Sequence, residues 1–220
     1  MYQVRDLRLS FPDMTRKPLF GAAPRIEILR GLSFDVSKGA VLGIVGGSGS
    51  GKSTLGRTML RLLEPTGGSI TFNGRDITHL EEDALRPMRA QMQMIFQDPM
   101  SSLNPRRQVG GIIAGPLRVQ GHDGIPAKVI EALDMVGLPR SFANRYPHEL
   151  SGGQRQRVGI ARAIALRPEF ILADEIVSGL DVSSQAQVLN LLQELVRELG
   201  LTLAFISHDM SVIRRIFFFF

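Results

Sequence analysis

The sequence predicts an α/β fold: a mostly parallel central sheet, an N-terminal antiparallel β region, and a helical subdomain inserted between strands of the core. Three observations carry this expectation. The runs Phe170-Ile171-Leu172-Ala173 and Leu201-Thr202-Leu203-Ala204-Phe205-Ile206 have strand length and are almost wholly apolar, so both faces need cover, as central parallel strands do. A third apolar run, Val41-Leu42-Gly43-Ile44-Val45, meets a glycine-rich turn and then a helical pattern. Between Asp98 and Val158 strand signals vanish, and helical segments alternate with Gly/Pro loops.

The elements follow in order. Val4, Leu7, Leu9 and Phe11, and then residues 32–36, keep the two-residue period of half-buried strands. Residues 12–24, rich in Pro, Gly and basic side chains, read as an extended loop, and Ser37-Lys38-Gly39 turns the chain into the 41–45 strand. A helical pattern over 55–63 is broken at 64–68, and a short strand over 69–72 turns at Asn73-Gly74. A short helix over 80–89 carries Pro87, and the alternation over 91–96 ends at Gln97-Asp98-Pro99. Helices are expected over 109–119, 126–136 (with Gly137 as a stop) and 154–165. After the strand at 169–174, Val188, Leu191, Leu192, Leu195, Val196 and Leu199 recur at three and four. That helix has Ser183 or Ser184 as its expected cap and Gly200 as its end. The predicted organisation is a core that opens with residues 1–97, a helical subdomain over 98–158, and a return to the core over 159–220.

Composition narrows the classes. With 220 residues there is room for one sizeable core, and 21% charged with 44% hydrophobic residues is an ordinary globular balance. The net charge of +5 comes from scattered basic residues, without a basic and aromatic stripe and without Trp, so no nucleic acid is expected as partner. Cysteine is absent, which excludes disulfides, thiolate chemistry and Cys-based metal sites. No apolar run approaches the ~20 residues that span a bilayer, and the first residues lack a signal-peptide core, so a membrane role would go through a partner.

The chemistry starts at Gly46-Gly47-Ser48-Gly49-Ser50-Gly51-Lys52-Ser53-Thr54, between strand and helix. Glycines let the backbone curl so that successive N–H groups point at one phosphate, and the helix start adds partial positive charge there. Lys52 supplies a full charge to the β- and γ-phosphates, and the Ser53 hydroxyl is placed to ligate Mg²⁺. This is a phosphate-cradling P-loop in its proper context, so a nucleotide site is expected.

Asp174-Glu175 stands at the tip of an apolar strand that ends beside the P-loop. Asp174 is placed to hold Mg²⁺ with Ser53, and Glu175 to orient and deprotonate an attacking water, assistance typically worth ~10²–10⁴ in rate. Gln97, ending the strand before the helical subdomain, is a candidate contact to metal or water, and His208, at the end of the last strand, to the γ-phosphate or water. Leu150-Ser151-Gly152-Gly153-Gln154 opens a helix with Ser151 as cap and two glycines exposing N–H groups, a second anion site beyond what one nucleotide needs.

These motifs in this order resemble the ATP-binding subunit of an ABC transporter, in particular the peptide/nickel (oligopeptide and dipeptide) importer group. The likeness rests on the P-loop, Phe96-Gln97-Asp98-Pro99 with Ser102-Leu103-Asn104-Pro105, and Arg145-Tyr146-Pro147-His148-Glu149 ahead of Leu150–Gln154. It rests also on the Asp174-Glu175 strand, Ser178-Gly179-Leu180-Asp181 and His208. It implies an ABC-type P-loop ATPase binding ATP and Mg²⁺, two such subunits closing head-to-tail, with Ser151 and Gly153 of one meeting the γ-phosphate held at Lys52 of the other. It implies that Asp181 signals across that interface and that the helical subdomain, hinged at Gln97, docks transmembrane permease subunits at the cytoplasmic face of the membrane. A solute-binding protein would be an indirect partner. Di- or oligopeptides are the expected solute. Nickel import, a non-transport ABC ATPase acting on nucleic acid or ribosomes, and a non-functional truncated product are the alternatives.

The chain departs from the family pattern at Ile176 (usually Pro), Gly179 (usually Ala) and Gly47 (commonly Glu). The adenine-stacking aromatic is assigned to Phe11, with Phe20 as second choice. The family continues beyond the last strand with further elements, whereas this sequence closes on Ile216-Phe217-Phe218-Phe219-Phe220, which leads to the expectation of a truncation, frameshift or fragment with an uncovered apolar edge.

Overall fold

The computed structural model of the protein describes residues 1–17 and 21–217; Phe20 and the phenylalanines at 218–220 lie outside them. β1 (Tyr2–Pro12) and β2 (Arg25–Val36) form an antiparallel pair running from Tyr2 opposite Val36 to Pro12 opposite Arg25. β2 thus begins at Arg25, ahead of the alternating stretch at 32–36. Its first half is largely exposed and alternates only over Ile26-Glu27-Ile28; pairing to β1 and the Arg25 side chain, which donates to the Ser10 hydroxyl and carbonyl, hold it extended. A short 3₁₀ segment, Met14–Arg16 capped by Asp13, interrupts the loop between them.

β3 (Val41–Val45) leads through the glycine loop into α1 (Lys52–Met59), which begins ahead of the apolar pattern at 55. β4 (Gly67–Phe72) and β5 (Arg75–Asp76) form a hairpin whose turn puts Asn73 and Gly74 both at positive φ, as a tight two-residue connection requires. Then come α2 (Glu82–Arg89), β6 (Met92–Ile95), the one-turn α3 (Pro99–Ser102), α4 (Val109–Val119), α5 (Ile125–Met135) and α6 (Gly152–Ile164). β7 (Phe170–Asp174), α7 (Val182–Leu199), β8 (Thr202–Ser207) and α8 (Met210–Phe217) complete the order.

The strands form two sheets: antiparallel β2-β1-β4-β5 and parallel β3-β8-β7-β6. The parallel sheet divides its side chains by the period of two. Phe170, Leu172, Ala204 and Ile206 join one core with Tyr2, Val4, Leu7, Ile70 and Phe72 of the antiparallel sheet. Ile171, Ala173, Leu203 and Phe205 face the other core, built with α4, α5, α6 and α7. Tyr2 sits between Phe72 and Phe170, with ring centroids at 4.8 and 4.6 Å, and joins the two sheets. Burial of each such side chain stabilises by roughly 1.5–3 kcal/mol.

α7 differs from expectation at its start. Neither Ser183 nor Ser184 caps it: Asp181 does, its Oδ1 accepting from the Ser184 N–H at 2.9 Å while the Ser184 hydroxyl donates to Oδ2 at 2.6 Å. A carboxylate suits the helix dipole better than a hydroxyl, so the earlier residue starts the helix. Gly200 ends it at φ 61°. Among the described residues no helix is long and apolar enough to cross a membrane.

Candidate functional site

Parallel pairing aligns the C-terminal ends of β3, β8, β7 and β6 along one edge: Val45 lies opposite Ser207, Asp174 opposite Ile206, and Ile95 opposite Ala173. The residues that follow each strand therefore collect there, where open α/β sheets bind ligands. They are the glycine loop, His208, Glu175 and Gln97.

Gly49 and Gly51 take φ of 76° and 90°, which L side chains resist, and a Cβ on Gly51 would also lie 3.1 Å from Ile28 Cγ2. The loop wraps Lys52, which is only 8% exposed. Its Nζ donates to the carbonyls of Gly46 and Gly47, both at 2.8 Å, and among the described residues no carboxylate lies within ion-pair reach. A buried ammonium held by carbonyls alone fits a polyanion. Beside it open two cavities of about 620 and 350 Å³. Ser48–Thr54, Gln97 and Glu175 line the smaller one, and Ile28 lines both.

Ser53 Oγ donates to Asp174 Oδ1 at 2.8 Å, and Asp174 is 1% exposed. Burial pushes the Asp174 carboxyl above the usual carboxylate range, against the Ser53 hydrogen bond and the nearby Arg57 charge, which pull it down. Among the described residues no group of three His, Cys, Asp or Glu can hold a metal alone. One hydroxyl and one buried carboxylate are, however, the donor set that Mg²⁺ uses when phosphates and water complete its shell.

Glu175 follows at φ 47°, its N–H held by the Ile206 carbonyl at 3.0 Å. Its Oε2 accepts from Gln97 Nε2 at 3.1 Å and faces His208 Nδ1 at 3.4 Å. Three residues from distant regions of the sequence thus meet at one oxygen. A carboxylate so oriented, beside a cavity that continues to Lys52, can accept a proton from water.

Ser151–Gln154 stand apart: none of the four lines either cavity at Lys52. Ser151 caps α6, its Oγ accepting from the Gln154 N–H at 3.3 Å, and Gln154 Oε1 accepts from the Ser151 N–H at 3.0 Å. Gly152 and Gly153 pass beside Leu180 and Ser184, which puts this helix start next to that of α7 and its cap Asp181. The hydrogen bonds from Ser184 hold the Asp181 carboxyl below its usual range.

Phe11 lies near the end of β1, paired with Ile26 and 41% exposed, and is not among the residues lining the larger cavity. Its apolar wall is instead Ile26, Ile28 and Leu32 of β2 with Val45. Sequence reasoning missed Ile28, because its position follows from strand pairing and carries no local motif.

A glycine cradle, a Ser–Asp pair and an oriented carboxylate at the C-terminal edge of a parallel sheet define a P-loop protein, with the capped helix start at Ser151 lying apart from them. A family model described as ABC transporter matches residues 29–178, and the chain belongs to that family. It is 53% identical over 219 residues to the oligopeptide transport ATP-binding protein AppF of Bacillus subtilis, covering 97% of this chain and 66% of AppF. It is 50% identical over 218 residues to the glutathione import ATP-binding protein GsiA of Salmonella paratyphi A, covering 97% of this chain and 35% of GsiA. The chain therefore spans less than two thirds of the length of these relatives. The dimeric ATP-binding cassette MJ0796, in a post-hydrolysis state bound to ADP and Pi, superposes with a TM-score of 0.84 at 30% identity, over 98% of this chain and 91% of that one.

Proposed function

We propose that the chain is the ATP-hydrolysing portion of an importer for di- or oligopeptides. The observation that carries this reading is the meeting of Gln97, Glu175 and His208 at one carboxylate oxygen, beside the buried Lys52 and the Ser53–Asp174 pair. Lys52 and the loop N–H groups hold the β- and γ-phosphates of ATP. Ser53 and Asp174 would hold Mg²⁺, which would supply charge neutralisation at the phosphates. Gln97 and His208 orient Glu175, and Glu175 takes the proton of the attacking water.

Ser151, exposed, and Gly153, half-buried, lie apart from the cavities at Lys52 of their own chain and suit the γ-phosphate held by a second cassette, identical or homologous. The division into a core (1–97 with 159–220) and a helical subdomain (98–158) would give that closure a moving element, with α6, unbroken from Gly152 to Ile164 across the second boundary, moving as one piece. An apolar groove of about 230 Å³, with Leu60, Leu62, Met94, Phe96 and Pro116 in its wall, suits a helix of a transmembrane permease at the cytoplasmic membrane face. A solute-binding protein would deliver the peptide. The peptide class is supported by the oligopeptide and glutathione in the relatives' names.

The test is Glu175→Gln in the full-length protein with its partner cassette. Steady-state phosphate release should fall ~10²–10⁴-fold, while ATP binding persists and the dimer becomes long-lived in size-exclusion chromatography. Undiminished hydrolysis would remove Glu175 as the base.

A further inference from the structure

We propose that Arg162 is a positioning residue that ties Gln97 to the helix opened by Ser151; this rests on the ATPase reading above. Arg162 lies near the C-terminal end of α6, eleven residues or ~16 Å of helix from Ser151. Its Nη1 donates to the Ser102 carbonyl at 2.6 Å, and its guanidinium carbon lies 5.6 Å from the Phe96 ring centroid. Phe96 and Ser102 bracket Gln97, so one side chain grips both ends of the segment carrying it.

The segment between those grips is stiffened from within. Asp98 Oδ1 accepts from the Met100 N–H at 2.7 Å, its Oδ2 from the Ser101 N–H at 3.2 Å, and its carbonyl from the Ser102 N–H at 3.1 Å. A displacement of α6 is therefore passed through Arg162 to a nearly rigid turn and on to the amide that touches Glu175. Among the described residues no carboxylate pairs with Arg162, and burial lowers the pKa of its guanidinium. A partly buried cation kept without a counter-charge is costly, and here its contacts are a carbonyl and a ring face on the Gln97 segment. The geometry makes the approach of Ser151 to a partner's nucleotide and the setting of Glu175 two ends of one lever.

The experiment is a double-mutant cycle in the full-length protein with its partner cassette, using Arg162→Met and Gln97→Ala. Arg162→Met is expected to lower kcat about tenfold with ATP affinity changed less than about twofold, and to cost nothing further once Gln97 is Ala. Additive losses, or parallel loss of ATP affinity, would overturn the assignment. Hydrogen–deuterium exchange without nucleotide gives a readout independent of hydrolysis: amides 97–102 should exchange faster in Arg162→Met, while those of β7 stay unchanged. Unchanged exchange at 97–102 means that no tether exists, whereas faster exchange in a protein that fails to hydrolyse ATP keeps the tether and removes only the ATPase reading. Arg162→Lys retains charge and stem, and serves if the Met variant does not fold; one ammonium cannot span carbonyl and ring together, so it should show the same exchange change in smaller degree.

Discussion

The glycine loop around Lys52 and the glycine-bearing helix start at Ser151 are built on opposite plans. At Lys52 the groups are buried or interlocked: lysine on two carbonyls, serine on Asp174, and Gln97 and His208 on Glu175. At Ser151 the hydrogen bonds are local to the helix start, a capping box that needs nothing from the rest of the chain. The first region is organised by the tertiary fold and is ready for its ligand. The second is fixed by local geometry, with Ser151 exposed and Gly152–Gln154 half-buried, and under the reading proposed above a partner cassette would complete it.

The difference can be broken at either end. The largest effect beyond loss of Glu175 is expected from Gly153→Ala. A Cβ there would lie 3.5 Å from Ser184 Oγ, ordinary contact, so the fold should be unharmed and the melting temperature unchanged or slightly higher. Turnover should nevertheless fall by about 10², because close backbone approach of a partner's phosphate is blocked. A variant as active as the parent would mean that this helix start meets no phosphate. Calorimetry and phosphate release separate the two effects.

Gly56→Ala probes the buried side in the opposite sense. A Cβ on Gly56 would stand 2.6 Å from one Leu172 methyl and 3.1 Å from Ile206 Cδ1, beneath the P-loop helix. Overpacking of this kind should cost about 1–3 kcal/mol, visible as a lower denaturation midpoint in urea. A neutral outcome would show that α1 does not seat tightly on the parallel sheet.

The smallest effect concerns Asp174 and pH. Its folded-state pKa is raised by burial, so the folded chain binds its proton more tightly than the unfolded chain does. Stability is then unaffected below the ordinary carboxylate range and declines as pH rises from there through the folded pKa. Asp174→Asn should remove that decline and modestly raise the nucleotide-free melting temperature at neutral pH, while abolishing stabilisation by Mg²⁺ with ATP. An unchanged pH profile would place the titration elsewhere.

Much of this is legible in the sequence because the decisive features are local. Strand, glycine turn and helix follow one another around Lys52, and the apolar strand delivers Asp174 and Glu175 in a single stretch. Val109–Val119 matches its pattern residue for residue, since Val109, Ile112, Ile113 and Leu117 recur at helical spacing and are buried, which outweighs the glycines and Pro116 inside the helix. What stays hidden depends on contacts between distant segments. The start of β2 at Arg25 needs β1, the wall made by Ile28 needs strand pairing, and the grip of Arg162 on Phe96 and Ser102 has no period or spacing to reveal it. The cap of α7 is hidden for a different reason: Asp181 and two nearby serines are all good capping residues, and the advantage of a carboxylate at the helix dipole, which favours Asp181, shows only once the helix start is known.

The left-handed backbone at Glu175 has a wider consequence. A residue with a long side chain held in that region forgoes on the order of 1–3 kcal/mol that glycine or asparagine would recover at the same place. Arg61 and Arg167 carry the same cost, so it is borne at several places in the chain, and Glu175 is the one among these three that stands at the cavity beside Lys52.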